Sequence, residues 1–179
     1  MSDDPNHEVS SEATLLRMLV ESRREEYKEL SELWRNLDTK AQGVIALTGI
    51  LLAAFVAFIT KGQVRPGCVE RGLFVVTLLL FTGSMFAAAL ALRIRATVGP
   101  PYFGPVQENL QDLLQLEEPD RSERMNDLVR EELLQWEECN EAVRAAVNAK
   151  TEALSWSQLL TGVSIALLAL IAITIVVRS

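Results

Sequence analysis

The sequence predicts an all-α membrane protein: a long amphipathic N-terminal helix running into a transmembrane hairpin, then a long C-terminal helix that ends in a third span. Three observations lead there. Hydrophobic residues make up 49% of the chain and charged residues 23%, yet the two classes are segregated into blocks. Residues 41–60, 72–92 and 154–177 contain no Asp, Glu, Lys or Arg. A helix rises about 1.5 Å per residue, so about 20 apolar residues cross a hydrocarbon core about 30 Å thick, and each block is long enough. In lipid each backbone polar group must be satisfied within its own segment, which makes the blocks helical.

Residues 1–10, MSDDPNHEVS, read as a disordered polar leader, with Ser10 or Ser11 placed to cap a helix. Residues 11–40 form the amphipathic helix. They contain no Gly or Pro, and Leu16, Leu19, Tyr27, Leu30, Trp34 and Leu37 make an apolar stripe that continues into Ala41 and Val44. About forty largely polar residues precede the first apolar block, so it is expected to be an internal anchor rather than a cleaved signal. Span 41–60 is followed by the loop 61–71, KGQVRPGCVER, whose Gly62, Pro66 and Gly67 supply turn chemistry for an antiparallel hairpin with span 72–92.

Residues 93–153 are a helical segment interrupted by a Pro/Gly linker at 97–105, where Tyr102 and Phe103 suit the headgroup level. A short Leu-rich helix after the linker is expected to stop at Pro119. Asp120 and Glu123 have capping-box spacing for a restart. The soluble part of this last helix has loose heptad spacing, with Val129, Trp136, Val143 and Lys150 in one series and Cys139 and Ala146 in the other. That stripe suits packing against the N-terminal helix. Span 154–177 closes the chain.

Charge and chemistry exclude several functions. A net charge of −7 argues against a nucleic-acid partner and against a polybasic lipid patch. The single histidine, His7, lies in the leader, which removes histidine-based catalysis and His/Cys zinc sites. Cys68 and Cys139 fall on opposite sides of the membrane and are expected to be free thiols. No phosphate loop or nucleophile elbow is present, and no cofactor is expected. The acidic clusters Glu117–Glu118–Asp120, Glu131–Glu132 and Glu137–Glu138–Glu141 are interleaved with Arg121, Arg124, Arg130 and Arg144, the pattern of a solvated helix face rather than a cation site. No ionisable residue lies at membrane depth, which disfavours an ion-coupled carrier and an intramembrane enzyme.

Orientation follows from the basic residues near the spans. Lys28, Arg35, Lys40, Arg93, Arg95, Arg144 and Lys150 lie on one side, and Lys61, Arg65, Arg71 and Arg178 on the other. Seven against four predicts a multi-pass protein of the inner membrane with its N-terminus cytoplasmic and its C-terminus outside.

The spans carry small residues at helical spacing: Gly49, Ala53 and Ala57 in the first, Gly83, Ala87 and Ala91 in the second, Gly162 and Ala166 in the third. Such spacing lets helices approach closely in lipid, within one chain or between chains. Ser157, Gln158, Thr161 and Ser164, with Thr48, Thr82 and Ser84, are candidates for interhelix hydrogen bonds or a water-lined path. At the mouth of the first span, Asp38 and Lys40 point about 200° apart on a helix and cannot pair with each other. Lys40 can reach lipid phosphates, whereas Asp38 needs a partner from another helix. Arg144 or Lys150 is expected to serve, with Asn148 as a hydrogen-bond donor.

The stretch LDTKAQGVIALTGILLA, with Asp38, Lys40, Ala41 and Gly49 in place, resembles the first-span signature of small prokaryotic membrane effectors of the SLATT and Pycsar-effector (PycTM) groups. The similarity covers residues 25–95, and NAKTEALSWSQLL resembles the helix that packs beside the hairpin in such families. It implies a self-associating effector of an anti-phage conflict system that forms a pore or perturbs the inner membrane when a nucleotide signal arrives. Its partners would be the bilayer, further copies of itself, and a cytoplasmic protein or nucleotide sensor encoded separately. The third span and the lack of a recognisable sensor domain depart from that pattern. The alternative is a non-conducting membrane anchor whose soluble helices recruit a partner.

Overall fold

The computed structural model describes residues 5–61, 67–96, 99–100, 115 and 117–178. Among the described residues three long helices stand out: α1 (Pro5–Lys61, 57 residues), α2 (Cys68–Arg93, 26 residues) and α3 (Glu118–Arg178, 61 residues). The protein is an all-α, multi-pass membrane protein, since all three helices are long and apolar enough to cross a bilayer. Only 11–22% of the residues in their most apolar windows are buried within the chain, leaving the rest for lipid or for other chains.

Two helix starts differ from the sequence reading. α1 begins at Pro5, within the stretch read as a disordered leader, because proline lacks an N–H that the first turn does not need. α2 begins at Cys68, inside the stretch read as loop 61–71. The Glu70 carboxylate accepts the Gly67 N–H at 2.7 Å and so satisfies a donor that the helix start would orphan. α3 begins at Glu118, with Pro119 in its first turn, where the missing N–H is no loss. Most of the Leu-rich helix expected at 106–118, residues 106–114 and 116, and the aromatic pair Tyr102–Phe103 lie outside the described residues.

The chain divides into two units, residues 1–33 with 96–145, and residues 34–95 with 146–179. In the first unit, contacts between α1 and α3 join residues 108 to 118 positions apart, which makes the two helices parallel. In the second unit the α1–α3 contacts are 112 and 113 positions apart, again parallel. There α2 runs antiparallel to both: Ala91 clusters with Ala41 and Leu154, Ser84 meets Ser157, and Phe74 packs against Phe55 with tilted rings whose centroids are 5.4 Å apart.

Each helix buries a seven-residue series. In α3, Trp136, Val143, Lys150, Ser157, Ser164 and Ile171 are all buried. In α2 the series is Glu70, Thr77, Ser84 and Ala91, all buried. In α1 it is Val20, Tyr27, Trp34, Ala41, Thr48 and Phe55, each buried or half-buried. Seven residues make two turns of 3.5, the repeat that keeps one seam facing a neighbour when helices wind left-handedly.

Candidate functional site

The second unit holds a charge pair where α1 enters its apolar run. Trp34 and Asp38 stand four residues apart on α1 and therefore on one face. Lys150 reaches between them. Its Nζ donates to Asp38 Oδ1 at 2.5 Å and lies 3.9 Å from the centroid of the Trp34 ring. The lysine side chain is 1% exposed and the aspartate side chain 32%. A buried ammonium is tolerated only where its charge is matched, and here a carboxylate and a ring face both do so.

Of the residues expected at this lock, the structure brings Asp38 and Lys150 together and leaves three elsewhere. Lys40 and Asn148 are exposed, and Arg144 pairs with Glu26 in the first unit. Trp34 was read from the sequence only as part of an apolar stripe. Its spacing of four from Asp38 was the signal for more.

Further along the second unit, four hydroxyls join the three helices. Ser84 Oγ lies 2.9 Å from the Ser157 carbonyl and 2.6 Å from Thr161 Oγ1, and Ser157 Oγ donates to the Ser84 carbonyl at 2.8 Å. Thr48 Oγ1 is 3.4 Å from Thr161 Oγ1. One orientation of the four protons satisfies the set: Thr48 donates to Thr161, Thr161 to Ser84, Ser84 to the Ser157 carbonyl, and Ser157 back to the Ser84 carbonyl. Thr48, Ser84 and Ser157 are fully buried and Thr161 nearly so. This is interhelix packing by hydrogen bond, and it occupies the stripe that also read as a candidate water path. Ser164 is buried and donates back to the Leu160 carbonyl, while Thr82 and Gln158 face outward.

The small residues divide in the same way. Ala91 is buried in the three-helix cluster, Ala87 is half-buried, and a Cβ on Gly83 would meet Leu160 at 3.6 Å. Gly49 and Gly162 have no neighbouring atom within 4 Å of a Cβ position, and Ala53, Ala57, Gly162 and Ala166 are exposed. These residues do not carry the packing of the chain on itself. That packing uses the seven-residue seam on a different face.

In the first unit Glu26 is the hub. It accepts from Arg23 on its own helix at 2.9 Å and from Arg144 on α3. Asn140, 2% exposed, donates to the Arg23 carbonyl at 2.9 Å, and its Oδ1 is buried with no partner among the described residues. Arg24 bonds Glu132 at 2.6 Å, and Arg23 lies 3.5 Å from Glu137. Trp136 packs edge-on against Tyr27 at 5.5 Å and donates its indole N–H to Glu132 at 3.2 Å. The sequence reading placed Glu132, Glu137 and Arg144 on a solvated, charge-stitched face. These three instead tie α3 to α1.

The Arg23 hydrogen bond holds the Glu26 carboxyl below its ordinary value of 4.5, with burial opposing and Arg144 reinforcing. A depressed native value contributes stability that is full above the ordinary value and is lost as pH falls through the native one. Acidification below pH 4.5 is therefore expected to lower the melting temperature of this unit, followed by Trp136 fluorescence, and Glu26→Gln should flatten that part of the profile. A profile unchanged by the substitution would remove Glu26 from the acid response. Nearby, burial pushes the Cys139 thiol up, with Glu138 adding to the shift, which keeps it protonated and unreactive.

A family model for the Pycsar effector protein domain, PycTM, matches residues 23–178. No curated protein and no solved structure matches.

Proposed function

The chain belongs to the Pycsar effector family, whose members are membrane effectors rather than known enzymes, and from that membership we propose that it self-associates in the inner membrane of a prokaryotic cell and opens a pore, or otherwise breaches the bilayer, during anti-phage defence. One observation carries the self-association. Gly49 and Gly162 have open space where a side chain would be, and Ala53, Ala57 and Ala166 continue the same faces outward. Small outward residues four apart let the backbone of another chain approach closely, which is how helices associate in lipid.

The internal hydroxyls are satisfied within the chain, so the three-helix unit needs no second chain to complete its own polar bonds. A conducting path would then form between copies rather than through one. The seven-to-four excess of basic residues supports a cytoplasmic N-terminus. The first unit, which carries the charged networks, would then face the cytoplasm, where a nucleotide signal or a separately encoded sensor could act on it.

Induced expression together with the cognate signal is expected to collapse the membrane potential, read with a voltage-sensitive dye. Gly49→Leu and Gly162→Leu should suppress the collapse at unchanged protein level, since both fill outward space. Gly83→Leu is the contrasting variant, because it would drive into Leu160 of the same chain. If potential is kept at full expression in the presence of the signal, the breaching role is wrong and a non-conducting anchor takes its place.

A further inference from the structure

We infer that the second unit binds anionic phospholipid on a cationic collar, the lipid phosphate lying on Lys40 of α1 and on Arg93 and Arg95 where α2 ends. This binding goes beyond the breaching role proposed above and needs only that the unit sits in a bilayer.

Two observations support it. The first is charge. Residues 34–95 and 146–179 carry nine basic and three acidic residues, a net of +6, whereas residues 1–33 and 96–145 carry eight basic and twenty-one acidic, a net of −13. The −7 that argued against a basic lipid patch for the chain as a whole is therefore a property of the first unit. Within the second unit Lys40, Arg93 and Arg95 are exposed, and their side chains make no ion pair or hydrogen bond among the described residues. Asp38 is taken by Lys150. Arg35 adds one more free cation, and Glu152 is the free carboxylate that opposes them. The next carboxylates along α1 and α3, Glu32 and Glu141, belong to the first unit. Four free cations thus face one free anion.

The second observation is level. Ala41, Ala91 and Leu154 form one buried cluster, with Leu37 and Leu92 packed against it. Lys40 adjoins Ala41 and Arg93 adjoins Leu92, while Ile94 leaves the helix with extended backbone and carries the chain on to Arg95. The three cations therefore stand at about one height, at the edge of the charge-free blocks 41–60 and 72–92, which is where headgroups lie. Trp156 is 58% exposed two residues beyond Leu154 and marks the same boundary, as interfacial indoles do. Long basic side chains lay their stems along apolar surface and raise their heads to the phosphate, and a guanidinium meets two of its oxygens at once. Each base engaged in this way is worth about fivefold in affinity for an anionic surface.

The test is the lipid selectivity of the full-length protein in phosphatidylcholine vesicles, read from the fraction of spin-labelled lipid that the protein immobilises. Spin-labelled phosphatidylglycerol is expected to be held at least about fivefold more strongly than spin-labelled phosphatidylcholine, with the preference falling as salt is raised. Lys40→Gln with Arg93→Gln and Arg95→Gln should remove most of that preference. Lys40→Arg with Arg93→Lys and Arg95→Lys should keep it, since the charges remain. Lys61→Gln with Arg71→Gln, at the opposite ends of the same spans, should leave most of it in place. Circular dichroism confirms that each variant is folded. A wild type without the preference overturns the proposal, as does a preference that survives the collar variant or is lost in the opposite-end variant. Displacement of the labelled lipid by soluble glycerol phosphate also overturns it, because the collar would then be a site for free anions.

Discussion

Asp38→Ala is expected to unfold the membrane unit under conditions where the parent is stable, at a cost of about 3–5 kcal/mol. The reason is what the substitution leaves behind. Lys150 is 1% exposed, so removing its partner strands an ammonium with only the Trp34 face for company. A ring face offsets about 2 kcal/mol of such a charge at best. The matching control is Lys150→Met, which fills similar space without charge. The double variant Asp38→Ala/Lys150→Met should recover most of the loss, because a buried ion pair replaced by well-packed apolar groups is often close to neutral. Thermal unfolding in detergent, followed by circular dichroism, reads both. If Asp38→Ala melts like the parent, the aspartate is only the polar end of a helix and the lock has no energetic content.

Trp136→Ala should do comparable damage to the other unit, about 3–5 kcal/mol. The indole is 5% exposed, meets Tyr27 at 5.5 Å with an interplanar angle of 64°, and lies beneath Arg24 at 5.9 Å. Its removal opens a cavity and also frees Glu132, which holds both the indole N–H and Arg24. Trp136→Phe keeps the edge-on ring pair but loses the N–H bond, so it should cost only about 1 kcal/mol beyond the lost area. Hydrogen exchange localises the effect. Amides in residues 21–33 and 121–145 should lose protection, whereas those around Thr48, Ser84 and Thr161 should keep it. Equal loss at both places would mean that the two units unfold together.

The helical architecture was legible because its signals are crude and large. Three charge-free blocks and a basic-residue boundary need no knowledge of packing. The expectation that Asp38 must find a partner on another helix came from geometry alone, since Lys40 points away from it. The contact itself was less legible. Arg144, Lys150 and Asn148 all stood on the right helix, and only the seven-residue seam selects Lys150, the member of the buried series. The heptad series Val129, Trp136, Val143 and Lys150 shows that seam as far as the membrane boundary, but within the spans it was hidden for a physical reason. In a soluble helix the buried face is the apolar one, so periodicity of hydrophobicity marks it. In a span every face is apolar, and the inward face is marked instead by Thr48, Ser84, Ser157 and Ser164, which an apolar count passes over. The small residues misled in the opposite direction. Their spacing is correct for close packing, yet Gly49 and Gly162 face away from the chain's own seam.

The unbroken series also makes the helices sensitive to phase. One residue inserted between Ala41 and Thr48 turns everything beyond it by about 100°, carrying Thr48 and Phe55 out of their seats against Thr161 and Phe74. Seven residues inserted at the same place return the face to within about 20° and merely lengthen the rod. Chain length in this protein is therefore quantised. It can grow or shrink in units of two turns, and a change of any other size is a rotation before it is an extension.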